Sequence, residues 1–177
     1  MALTIIAAVA FWMEFRSNEK INEAQLVMEL NDQFITNEQF FKVEWELEKY
    51  YEAYNAAKQA GQATDNIPFG LNLSLETEER QYLVNYLVHL EGIAALVNEG
   101  VLHLNVITDL MAYRYFIAVN NPLVQEIELI PCRDYYRGIF RIYKKWSRKL
   151  GKGKIPMEEH SLLKHRELNR IEGKIKK

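Results

Sequence analysis

Arg133, Arg137, Arg141 and Lys145 recur every four residues, a spacing that sets four cations along one face of a helix. With Lys144, Arg148, Lys149, Lys152 and Lys154 they make nine basic side chains against one acid, Asp134, within residues 133–154. Tyr135, Tyr136, Phe140, Tyr143 and Trp146 add aromatic surface to the same stretch. The chemistry such a row offers is the binding of something anionic. On anionic lipid each cation near the surface contributes about 1 kcal/mol. A phosphate backbone attracts the same pattern, and so does an acidic protein. The plain alternative is a helix that buries its aromatics and shows its cations to water.

Glu91 is the second candidate. It is the only acid between Glu79 and Glu99 and sits in an apolar run, where a carboxylate must be paired, hydrogen-bonded or protonated. Arg114 is the only cation between Arg80 and Arg133, so the expected arrangement is a buried polar latch of Glu91 with Arg114, helped by His89 or a tyrosine. The same three residues are what an enzyme would have to use, and no other catalytic set is present.

The remaining reactive types are poorly arranged for chemistry. His160 and His165 diverge by about 140° on a helix and cannot share a metal, and no cysteine or second histidine stands at ligand spacing from His89 or His103. Cys132 is the single cysteine, so it makes no internal disulfide, and with no histidine nearby it reads as an apolar filler. Gly151-Lys-Gly-Lys154 lacks the glycine spacing and the hydroxyl of a phosphate loop. No nucleophile-elbow, dinucleotide or paired-cysteine signature exists, and no cofactor or metal is expected.

The chain opens with an uncharged run, Ala2 to Met13. As a helix it is roughly 18 Å long at about 1.5 Å per residue, against a hydrocarbon core of roughly 30 Å. Ile5, Ile6, Val9, Phe11 and Trp12 are the expected membrane contacts. A transmembrane helix then requires that a full span begin further upstream. The alternative occupants of this surface are the chain's own bundle or a second copy, giving a homo-oligomer through the first helix. A signal peptide lacks support because no cationic segment precedes the run.

The elements that must position these residues are all helical. With four prolines and eight glycines in 177 residues, turn chemistry is sparse, and no strand alternation or repeat is present. The spacing predicts an all-α, four-to-five-helix, bundle-like domain with a long N-terminal helix. Residues 1–19 form its apolar end and a candidate anchor, 20–150 the helical domain, and 151–177 a basic tail with a weak helix built on Leu162, Leu163, Leu168 and Ile171. Ile21, Ala24, Val27, Leu30 and Phe34 predict the buried stripe of the first helix. Thr36-Asn-Glu-Gln39 reads as a capping box opening the second. There Phe40, Val43, Leu47, Tyr50 and Tyr54 form the core stripe, with Phe41 and Trp45 widening it. The third helix, about 76–98, is apolar nearly all round and should be central, with Gly92 allowing close approach. The fourth, about 106–119, presents Val106, Leu110, Tyr113 and Ile117. Pro122 restarts the chain, and Pro131 should kink it before the basic helix.

Charge is divided unevenly. Residues 1–99 hold 16 acids and 6 bases, and residues 100–177 hold 8 and 16. A basic surface with an anionic partner explains this. So does an internal packing of the acidic second helix on the basic fifth.

Asn31-Asp-Gln-Phe34, the run Tyr86-Leu-Val-His-Leu-Glu-Gly-Ile-Ala-Ala-Leu-Val-Asn-Glu-Gly-Val-Leu102, Asp109-Leu-Met-Ala-Tyr113 and Tyr135-Tyr136 before a basic helix carry a family resemblance. Over most of residues 20–150 the chain resembles the bacterial domain-of-unknown-function 4760 family. The resemblance implies a membrane-tethered helical domain on the cytoplasmic face of the bacterial inner membrane, with a cytoplasmic location as the alternative. It implies no activity. The expectation is a membrane-proximal interaction module whose basic helix docks on anionic lipid or an acidic partner, with nucleic-acid binding through the same face as the alternative.

Overall fold

The structure is a computed structural model, and it describes residues 2–65, 67–151 and 153–164. Among these residues every regular element is helical. In chain order they are α1 (Ala2–Thr36), α2 (Glu38–Gln59), α3 (Glu78–Asn98), α4 (Leu104–Val119), the short α5 (Pro122–Val124) running into a π-helical turn (Gln125–Leu129), and α6 (Arg137–Leu150). Two single 3-10 turns follow, Glu158–His160 and Leu162–Lys164.

α3 is the axis of the bundle. Leu83, Tyr86, Leu87, Leu90, Ile93, Ala94 and Val97 are buried, because an almost wholly apolar helix can satisfy itself only with neighbours on several sides. α6 packs chiefly on it, α2 lies alongside, and α1 and α4 close the other side. The acidic α2 and basic α6 therefore meet α3 rather than forming the principal contact with each other. The core stripe of α2 is as expected, with Phe40, Val43, Leu47, Tyr50 and Tyr54 all buried. Gly100 takes φ +76° after α3, the left-handed position that a helix end assigns to glycine.

Several expectations are corrected. The cap of α2 is Asn37, not Thr36: its Oδ1 accepts from Gln39 N at 2.9 Å and Phe40 N at 3.3 Å, while Thr36 Oγ1 donates back to Asp32 O in α1. The buried stripe of α1 starts late. Val27, Asn31 and Phe34 are buried, but Ile21 and Ala24 are exposed. Phe41 (61 % exposed) and Trp45 (51 %) do not widen the α2 stripe but face outward. α4 is turned so that Val106, Leu110 and Tyr113 are exposed and Ile107, Met111, Tyr115 and Phe116 are buried. A Cβ at Gly92 would meet nothing, so no close approach occurs there. Pro131 falls in the turn that separates the π-helical segment from α6.

The transmembrane expectation is also overturned. Among the described residues no helix is long and apolar enough to cross a membrane. The reason is in the sequence of α1: after a dozen uncharged residues come Glu14, Arg16, Glu19, Lys20 and Glu23, far short of the roughly 20 apolar residues a span needs. The side chains of Ile5, Ile6, Val9, Phe11 and Trp12 lie outside the described residues, as do Leu168 and Ile171 of the tail.

Candidate functional site

α6 is a strongly two-sided helix. Ile139, Phe140, Ile142, Tyr143 and Trp146 are buried, and Arg137, Arg141, Lys145, Arg148 and Lys149 are exposed. The inward side is fixed by specific bonds as well as by packing. Tyr115 Oη donates to Ile139 O at 2.7 Å and Tyr143 Oη to Asn120 Oδ1 at 2.7 Å, while the Trp146 ring lies 4.7 Å from that of Tyr115. Rotation of α6 about its axis would break all of these, so the cation row is held outward. Lys144 and Arg133 are half-buried, and Arg133 lies in the turn before α6 rather than on it. Asp134 pairs with Arg137 at 3.2 Å, an exposed pair of little strength.

Glu91 and Arg114 are not brought together. The Glu91 carboxylate reaches the first turn of α6, accepting from Gly138 N at 2.7 Å and Ile139 N at 2.8 Å. It is a helix cap supplied by a different helix: Tyr136, at the cap position itself, makes no side-chain bond there. Burial pushes the Glu91 carboxyl up from its ordinary value, against the two N–H groups and the Arg141 charge. A Cβ at Gly138 would come within 2.8 Å of Glu91 Oε1, so a larger residue there would push the capping carboxylate aside.

Arg114 instead pairs with Glu44 (2.7 Å) and donates to Asn31 Oδ1 and Leu110 O, each at 3.0 Å, with its guanidinium 5.4 Å from the Phe34 ring. This latch joins α1, α2 and α4. Burial raises the Glu44 carboxyl, with Arg114 opposing. His89 belongs to a third set, stacked edge-on to Phe34 and 3.1 Å through Nε2 from Leu30 O, to which it donates. Burial lowers its pKa and the Leu30 contact resists, leaving a neutral ring.

Sequence reasoning missed a further buried pair. Arg80 Nη2 meets Glu128 Oε2 at 2.5 Å and also donates to Ile127 O at 2.8 Å, while Tyr136 Oη donates to Glu128 Oε1 at 2.9 Å. The partners are 48 residues apart, and Glu128 lies on the π-helical turn, whose register no 3.6-residue period reveals. The one available signal was an acid within the apolar run Ile127-Glu-Leu-Ile130. Among the described residues no group of three histidine, cysteine, aspartate or glutamate side chains is placed to hold a metal.

The arrangement is that of an all-α bundle in which Glu91, Arg114, His89 and Glu128 bond across helices and whose distinctive surface is an outward row of cations. The chain belongs to the family described as Domain of unknown function (DUF4760), whose family model matches residues 1–146. No curated protein and no solved structure matches it.

Proposed function

We propose that this chain is a membrane-proximal interaction module that docks through the exposed face of α6 onto an anionic lipid surface, such as the cytoplasmic leaflet, without spanning it. The observation that supports this reading is the fixed outward row Arg137, Arg141, Lys145 with Arg148 and Lys149 beside it. A second feature favours lipid over an acidic protein. The corner between α3 and α4 touches both α1 and α6: Glu23 accepts from His103 N, and Asn105 Oδ1 accepts from Lys149 Nζ. The last turn of α6 thus lies at the end of the body from which α1 continues to its apolar opening. Cations and an apolar helix end on one side are the two signals a stable peripheral anchor combines.

Nucleic-acid binding is the second reading, favoured by Tyr135, 80 % exposed between Arg133 and Arg137, where a ring can stack on an unpaired base. Vesicle flotation separates the two. The chain should float with anionic vesicles at low salt, stay behind with neutral ones, and be released by added salt. Retention on single-stranded nucleic acid with no flotation would replace the lipid reading. Deleting residues 2–15 then measures what the apolar opening adds.

A further inference from the structure

On a face that uses none of the α6 cations lies a groove whose two walls are apolar and whose surroundings are acidic. The Arg114 latch forms its floor, since Arg114 is bonded at once to Asn31 of α1, Glu44 of α2 and Leu110 O of α4. At its deepest part a cavity of about 260 Å³ is lined by Phe34, Ile35, Phe41, Glu44, Trp45 and Arg114, with Glu48 at its edge. Ile35 and Met28 stand four residues after and three before Asn31, so they lie on the same side of α1, and Ile21 continues the line one heptad earlier. Across the floor, α2 presents Phe41 and Trp45, four residues apart and both exposed, as the facing row. Exposed apolar side chains in two helical rows are what a bound amphipathic helix meets with its own i, i+3, i+4, i+7 positions.

The charges decide what sort of helix. Glu44 is matched by Arg114, whereas no ion-pair partner of Glu48 is present among the described residues. Glu29, Asp32, Glu52 and Asp109 are exposed on the same three helices. Burial, and after it the charges of Glu48, Tyr51, Glu52 and Glu44, push the Tyr113 hydroxyl up to about 12. Of the nearby cations of α2, Lys42 pairs with Glu79 away from the groove, while Lys49 pairs with Glu46 and lies 5.4 Å from the Trp45 ring, at the rim, without reaching Glu48. A second copy using this same face would set acid against acid, because a two-fold interface opposes a patch to itself. The apolar side of the chain's own basic helix, α6, is already buried.

We propose that the groove between α1 and α2, floored by Arg114 of α4, binds an amphipathic helix of a partner protein, with apolar side chains seated against Ile35, Phe41 and Trp45 and a lysine or arginine meeting Glu48. The test uses the full chain and two dye-labelled helical peptides of three heptads, identical in their apolar positions and flanked in one by lysine and in the other by glutamate. Fluorescence anisotropy should show saturable binding of the lysine peptide, weakened at least roughly tenfold by Trp45→Ala and by Glu48→Lys. The triple substitution Arg137→Gln, Arg141→Gln and Lys145→Gln should leave that binding unchanged, which separates this site from the α6 face. The altered side chains lie at the surface, so an unchanged thermal midpoint certifies the fold, and Met28→Lys supplies a further variant on the opposite end of the wall. The proposal is overturned if the glutamate peptide binds as tightly, or if the lysine peptide binds with no loss in the Trp45 and Glu48 variants or fails to bind. A concentration-dependent dimer abolished by Met28→Lys would also overturn it, assigning the groove to a second copy.

Discussion

Glu91 caps a helix to which it does not belong, and that makes it the residue whose removal is most informative. Glu91→Ala leaves Gly138 N and Ile139 N without their acceptor at a half-buried helix start, a loss of about 1–3 kcal/mol in urea unfolding. Gly138→Ala should reproduce much of that loss, because the new methyl displaces the carboxylate. If Glu91→Ala is neutral, the cap is not contributing. His89 carries a pH prediction. Its folded pKa is depressed, so the unfolded chain takes up protons more readily; the stability due to the neutral ring is complete above the free value of 6.5 and is lost as pH falls below it. Thermal midpoints compared at about pH 7.5 and about pH 5.5 should fall more for the native chain than for His89→Gln, whose amide can still donate to Leu30 O. Equal falls would remove His89 from the account. At this scale the sequence identified the right unusual residues and the wrong pairing. Glu91, His89 and Arg114 each stand out against apolar surroundings, but partners 47 or 70 residues away are set by helix rotation and crossing, which local spacing does not reveal.

Helix α2 shows how far periodicity reaches. Its five core positions follow directly from a 3–4 spacing, since burial of one stripe is what holds a helix in a bundle. Phe41 and Trp45, also apolar, could not be told from core by spacing alone, and they turn out to face the groove. The same ambiguity turned α4, where apolar residues surround the helix and no stripe is preferred, and hid the π-helical turn. The end of α1 and the start of α2 differ by one residue from the capping-box reading. Asn37→Ala should therefore cost about 1 kcal/mol of stability while Thr36→Ala costs less, a difference that chemical denaturation resolves. The reverse order would restore Thr36 as the cap.

For the whole molecule, the uneven charge of the two halves resolves into two faces. The acids of α2 border an apolar groove, and the cations of α6 stand outward on a helix that α3 holds in place. The all-α architecture was legible because no segment carried any other period. The transmembrane expectation failed because a dozen uncharged residues satisfy the composition of a membrane span without its length. The function proposed for the molecule is that the α6 cations bind an anionic lipid surface. The measurement that meets this most directly is the partition constant on vesicles containing anionic lipid for the native chain and for the variant with glutamine at 137, 141 and 145. At about 1 kcal/mol per cation, the loss of three should weaken binding roughly 100-fold with the thermal midpoint unchanged. Equal partitioning of the two proteins would contradict it.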